Sequence, residues 1–289
     1  KFSQWKLRDI MCYRHADGLW KILFLSIYLA HFNAAAQPKK SHIVPGYTNT
    51  PMLPNSPWHV HDPNRPLPKM VTPKSFVHAP APSDAFVLFD GKSMDVFVTN
   101  KDRAPVGWTI GNGEVTIAPH ASIGKGDSIQ TVEKFGDMQL HIEWKIPETG
   151  LTSKKKAYIG GLFFMSEYKL QIYNSFSEVV YPDGQAAAIY GQTPPLVNAS
   201  LPAGEWQSFD VIFEAPRFDK NEKLLKMAFL TVFHNGVLVQ NRTPIIGPAR
   251  YKTTAPYKAH AAAAPLIIQD HGYVLSFRNI WARKLNLSM

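Results

Sequence analysis

The chain is poor in the features that would reinforce it covalently or by helices. Its 289 residues contain one cysteine, Cys12. With that residue in an N-terminal stretch expected to be removed, disulfides, thiolate metal sites and a cysteine nucleophile are all excluded. No segment carries a sustained helical repeat of apolar residues. No Gly-rich phosphate loop and no catalytic-triad spacing occur. The apolar stretch Ile22 to Phe32 is about half the length a membrane-spanning helix needs. The net charge is +9, yet the basic residues form no stripe interleaved with aromatics, and Lys154-Lys155-Lys156 is a single loop-like cluster. Nucleic acid is therefore not an expected partner.

What is present falls into three parts. After Met11 come Arg14 and Lys21, then the apolar stretch, then Ala34-Ala35-Ala36. That order of charged, apolar and small residues is the order of a secretory signal. Residues 1–36 are read as upstream sequence plus a signal peptide cleaved near Ala36. The rest is expected to be secreted or periplasmic, without a membrane anchor. Residues 37–82 contain eleven prolines, which fix φ, remove donors and predict an extended segment. Trp58-His59-Val60-His61-Asp62 is too rich in large and polar groups for a spacer, and should lie along the body of the domain. In extended backbone His59 and His61 point the same way, a spacing that suits a metal as well as a plain surface pair.

Residues 83–289 read as one all-β domain: short strands separated by turn signals. Asn112-Gly113 and Asn235-Gly236 mark hairpin tips. In MQLHIEWKI, Met138, Leu140, Ile142 and Trp144 share one face, and Gln139, His141, Glu143 and Lys145 the other. About ten such strands without a repeated blade motif predict a sandwich of two antiparallel sheets. The faces turned away from the core are unusually polar. They carry His141, Glu143, Gln171, Gln269 and His271, with Trp and Tyr close in sequence. Flat rings beside amides and carboxylates suit a sugar. Ordinary glycosidase chemistry needs two carboxyl groups at a fixed separation. Glu143-Trp144-Lys145-Ile146-Pro147-Glu148 lacks the middle aspartate of the jelly-roll glucanase pattern, so that chemistry is not supported.

Several separated stretches resemble the 3-keto-disaccharide hydrolase domain family. They are LFDGKSMDVF (88–97), GQAAAIYGQTPPLVNAS (184–200), Gly204-Glu205-Trp206, EAPRFD (214–219), TVFHNGVLVQN (231–241) and LIIQDHG with SFRNIW (266–281). The likeness runs from about Phe86 to Leu285, and WHVHDPNRP (58–66) resembles secreted members. The resemblance implies a concanavalin A-like jelly roll acting on glycosides whose C3 hydroxyl has become a ketone. That ketone acidifies the C2 proton; a base removes it, the C1 substituent leaves, and water adds to the enone. On this basis His271 or Glu143 is expected to be the base, with Arg278 stabilising the enolate. His141, Glu167, Gln171, Gln185, Tyr190, Gln269 and Asp270 are expected to hold substrate hydroxyls or a divalent cation. His141, Glu143, Gln171, Gln269, His271 and Arg278 are expected around one hollow, with Asp270 pointing the opposite way and serving to orient a neighbour or shape the turn. Three places depart from the family pattern: Ile159-Gly160 in place of Asn-Ser, Lys169 where an acidic residue is usual, and Asn174 where aspartate is usual. These departures keep a lectin-like, binding-only module as the alternative.

Overall fold

A computed structural model of the chain describes residues 44–76, 78–118, 126–148 and 158–287. The signal-like segment and the Lys154-Lys155-Lys156 cluster lie outside the described residues. The strands in chain order are β1 (Lys69–Met70), β2 (Phe86–Phe89), β3 (Phe97–Thr99), β4 (Thr109–Gly111), β5 (Glu114–Thr116) and β6 (Ile129–Phe135). They continue with β7 (Met138–Lys145), β8 (Gly160–Phe164), β9 (Tyr168–Ile172), β10 (Val197–Asn198), β11 (Trp206–Glu214) and β12 (Arg217–Phe218). The last are β13 (Leu224–Lys226), β14 (Phe229–His234), β15 (Val237–Pro244), β16 (Ala264–Asp270) and β17 (Ser276–Lys284). The described residues contain no α-helix, only a 3-10 turn at Pro182–Gly184.

Two antiparallel sheets form the sandwich. The larger has eight strands, in the order β15-β14-β11-β7-β17-β5-β4 with β2 also on β17; the smaller runs β3-β6-β16-β8-β9. The two hairpin tips expected from Asn-Gly are present, with φ of 53° and 77° at Asn112-Gly113 and 52° and 77° at Asn235-Gly236. Both residues of such a turn need positive φ, which is why these pairs stand there.

The core follows from alternation. Leu140, Ile142 and Trp144 of β7 are fully buried, as are Leu170 and Ile172 of β9 and Ile268 of β16. Phe164 of the small sheet stacks on Phe213 of the large one, with ring centroids 4.9 Å apart. Each such side chain removed from water contributes about 1.5–3 kcal/mol before the entropy of ordering is counted. The residues between these inward positions therefore face outward, but from two different sheets.

The Pro-rich segment straps the sandwich. β1 pairs in parallel with β10, with Lys69 opposite Val197. Further along, the carbonyl of Ala79 accepts from the Asn279 amide at 2.9 Å and the Trp281 indole at 2.8 Å. This end of the strap crosses the outer surface of the large sheet, while His61 meets Asp183 beside the small one. The expected His59–His61 pair does not form. His61 has a φ of 60°, which breaks the extended alternation. His59 Nδ1 instead contacts the Thr50 carbonyl.

Candidate functional site

Two polar clusters stand on opposite outer faces, and they differ in one respect: one is saturated with hydrogen bonds, the other is not. On the large sheet, Glu143 is the centre. A bulge in β17 between Arg278 and Trp281 places two residues against one of β7. Asn279 takes a φ of 44° there. The extra residue lets consecutive side chains, Arg278 and Asn279, both reach the outer face. Arg278 Nε donates to Glu143 Oε2 at 2.6 Å. Asn279 Nδ2 donates to Oε1 at 2.8 Å, and His78 Nδ1 to Oε1 at 2.6 Å. His141 approaches Oε1 at 3.4 Å through Nε2 and holds Asp210 at 2.6 Å through Nδ1.

Glu143 is completely buried. Burial alone would push its pKa up, but the hydrogen bonds from His141, Asn279, Arg278 and His78 outweigh it and bring the value down to about 2. Burial likewise opposes charge on His141, and the carboxylates of Asp210 and Glu143 overcome it, raising its pKa. A carboxylate holding four hydrogen-bond contacts, three on Oε1 and one on Oε2, with its pKa pulled down, is a weaker general base than a free one. Arg278 is committed to Glu143 and stacks over Trp206, 4.0 Å from the ring centroid. Glu143 and Arg278, expected as base and enolate stabiliser, stand here in a clasp that fastens the strap at His78 and Ala79. His141 belongs to the same clasp.

On the small sheet, Lys169 and Gln171 of β9 alternate outward between Tyr168, Leu170 and Ile172. Gln269 and His271 follow the same parity on β16 and the residue after it. Here the polar atoms are buried and unmatched. Gln171 Oε1, Gln269 Oε1 and His271 Nδ1 have no hydrogen-bond partner. Such atoms cost about 1–3 kcal/mol each when left unpaired, and native proteins keep them chiefly where something else binds. Lys169 is only 6% exposed. Its Nζ lies 4.5 Å from the Tyr190 ring centroid and 5.7 Å from that of Phe163. Burial lowers its pKa to about 7. His271 is lowered as well, first by burial and then by the charge of Lys169, so the neutral imidazole is favoured.

Aromatic rings form one side of this cluster. His61 stacks on Tyr181 at 3.9 Å and lies 5.0 Å from Tyr190. Tyr47 and Tyr251 join through their hydroxyls at 2.8 Å. The strap thus contributes Tyr47 and His61 to the surroundings of Tyr190. Glu167 sits at the turn before β9, its carboxylate held by Arg250 at 3.1 Å.

The structure therefore divides the residues expected around one hollow. Gln171, Gln269 and His271 cluster on the small sheet, together with Tyr190 and with Lys169, which was not among those expected, while His141, Glu143 and Arg278 stand on the large one. Gln185 joins neither; it lines a groove of about 720 Å³ with Ser175, Phe176, Asn198 and Met70. Asp270 points away from Gln269 and accepts from the Gly272 amide at 2.8 Å, shaping the turn.

A known family matches most of the chain: the description "3-keto-alpha-glucoside-1,2-lyase-like domain" fits residues 84–283. The chain belongs to this family. A 3-keto-disaccharide hydrolase of Bacteroides thetaiotaomicron is 26% identical over 159 residues, covering 46% of this chain and 54% of that protein. The chain thus spans about half the length of this curated relative. A solved structure of a candidate glycosyl hydrolase from Parabacteroides distasonis ATCC 8503 is 37% identical, with a TM-score of 0.66. That similarity covers 76% of this chain and 93% of the other.

Within this 3-keto-alpha-glucoside-1,2-lyase-like domain, the donor set does not fit a divalent cation. Among the described residues no group of three or more His, Asp and Glu is placed to hold a metal ion. The small-sheet cluster offers amides and one imidazole around a lysine, whose charge opposes a second cation. Sequence reasoning missed the clasp partners His78 and Asp210 and the strap contact His61–Asp183, all joined across long separations. Lys169 stood out only as a departure from the family pattern. Its shared parity with Gln171 was the available signal that it faces the same side.

Proposed function

We propose that the protein cleaves glycosidic bonds of 3-keto-glycosides at the outer face of the five-stranded sheet. The observation carrying this reading is the convergence of the unpaired Gln171, Gln269 and His271 atoms around Lys169. In this mechanism the neutral His271 imidazole takes the proton from C2, which the C3 ketone has acidified. Charge moves onto the C3 oxygen, where Lys169 replaces Arg278 as the cation available to it. The electron pair then forms the C1–C2 double bond as the C1 substituent departs with a proton. Water adds to C1 of the enone and C2 regains a proton, so the net reaction is hydrolysis. Gln171 and Gln269 hold hydroxyls, and Tyr190, its hydroxyl pushed up to about 12 by burial, packs against the sugar ring as a protonated phenol.

The second reading is a lectin-like module on the same face, favoured by one observation: among the described residues no carboxylate partners Lys169 there. A 3-keto-glucoside with a chromogenic aglycone separates the two. Release of the aglycone, with loss of deuterium from C2 and dependence on His271, supports the enzyme. Saturable sugar binding without release supports the module. We also read the protein as exported; recovery in the cytoplasmic fraction alone, uncleaved, would refute that.

A further inference from the structure

We propose that the amine of Lys169 forms a Schiff base with the C3 ketone of the substrate, so that the C2 proton is removed from an iminium ion rather than from a free ketone. This rests on the reading of the small-sheet face as a 3-keto-glycoside site.

Four observations converge on the lysine. It is almost wholly buried, yet among the described residues it has no hydrogen bond and no carboxylate partner, only the faces of Tyr190 and Phe163. A lysine kept for its charge would be expected to hold a carboxylate or reach water. The neighbouring strand makes room for it: a Cβ added at Gly161 would lie 2.4 Å from Lys169 Cε and 3.3 Å from Gln269 Oε1. The titratable groups facing it are His271, just after β16, and Tyr190 beyond β9, neither of them an anion that would hold it protonated. The buried amine thus has a large neutral fraction near pH 7 and is a nucleophile there.

The steps balance. The Lys169 amine adds to C3 and one water leaves, giving an imine that is protonated on nitrogen. His271 removes the C2 proton to form an enamine. Its electrons expel the C1 oxygen, which takes a proton, and leave a conjugated iminium. One water adds, its hydroxyl to C1 while C2 regains a proton from His271, and a second water hydrolyses the resulting iminium, restoring the ketone and the free amine. The overall consumption is one water per bond cleaved. Iminium nitrogen is a better electron sink than carbonyl oxygen, so the site needs neither a metal nor a second fixed cation for this step.

The test is reductive trapping. Wild type, Lys169→Arg and Lys169→Met are incubated with a 3-keto-glucoside and cyanoborohydride, then mapped by peptide mass spectrometry, with turnover measured in parallel without reductant. The expected result is a reduced sugar adduct on Lys169 in wild type, and a loss of turnover on the order of a hundredfold or more in Lys169→Arg, which keeps the charge. Circular dichroism establishes that the variants fold. Wild type that turns over substrate without an adduct at Lys169 overturns the Schiff base while leaving the 3-keto-glycoside reading intact. Lys169→Arg retaining activity within tenfold of wild type does the same, assigning the lysine an electrostatic role. Neither turnover nor adduct with wild type overturns both.

Discussion

Arg278 donates from Nε to Oε2 of Glu143 at 2.6 Å, inside a sheet face where Glu143 has no exposed surface. The contact depends on the β17 bulge, which turns Arg278 and Asn279 to the same side. It gives Glu143 a structural task, and that task is measurable apart from catalysis.

Replacing Glu143 by Gln removes the charge that Arg278, His78 and His141 are arranged around. Breaking a buried pair in this way leaves an uncompensated cation and is expected to cost about 3–5 kcal/mol. Denaturant unfolding should record that loss. Turnover per folded molecule, measured well below the melting temperature, should stay within about threefold of wild type. A loss of a hundredfold without destabilisation would return Glu143 to the reacting centre.

His271→Ala should lower kcat/KM by about 10²–10⁴-fold with little change in melting temperature, because the imidazole is only half-buried and has an unpaired Nδ1. Burial and Lys169 lower its pKa, so the acid limb of the wild-type pH–rate profile should fall below the ordinary histidine value of about 6.5. A limb displaced above that value would contradict the assignment.

Gln171→Leu and Gln269→Leu probe the unpaired amides from the opposite direction. Each exchanges a buried, unsatisfied polar end for an apolar one of similar size, and should stabilise the unliganded protein by about 1 kcal/mol. Each should also weaken sugar binding about tenfold, equal to about 1.4 kcal/mol. Thermal unfolding with and without sugar reads both. If the variants are destabilised and bind normally, these amides belong to the scaffold.

Acid should unfold the protein in two overlapping stages. Fully buried His234, stacked on Trp144, has its pKa lowered by burial to about 3. Its unfolded form binds a proton that the folded form refuses between about 6.5 and about 3, so stability falls as pH drops through that window. Glu143, at about 2 in the fold, adds a second loss as pH falls from about 4.3 towards 2. Melting temperature measured from pH 7 to pH 3 should decline from just below 6.5, and a flat profile down to pH 4.5 would contradict the burial of a neutral His234.

The sequence alone determined most of the long strands, though not β6 of the smaller sheet, and it determined where the Asn-Gly hairpins turn and which side chains alternate away from the core. Those properties are local: a period of two and a pair of positive φ values are written within a few adjacent residues. The same local rule correctly set His141 and Glu143, Lys169 and Gln171, and Gln269 and His271 on outward faces. It did not say which outside. β7 is flanked by β11 and β17, and β9 by β8, through pairings set by contacts between distant parts of the chain. Only tertiary structure decided that Glu143 and His271 stand on opposite surfaces, because strand polarity is encoded locally and sheet membership is not. The bulge at Asn279, in the pairing of β17 with β7, and the clasp to His78, 201 residues from Asn279, were hidden for the same reason, being products of packing between distant segments.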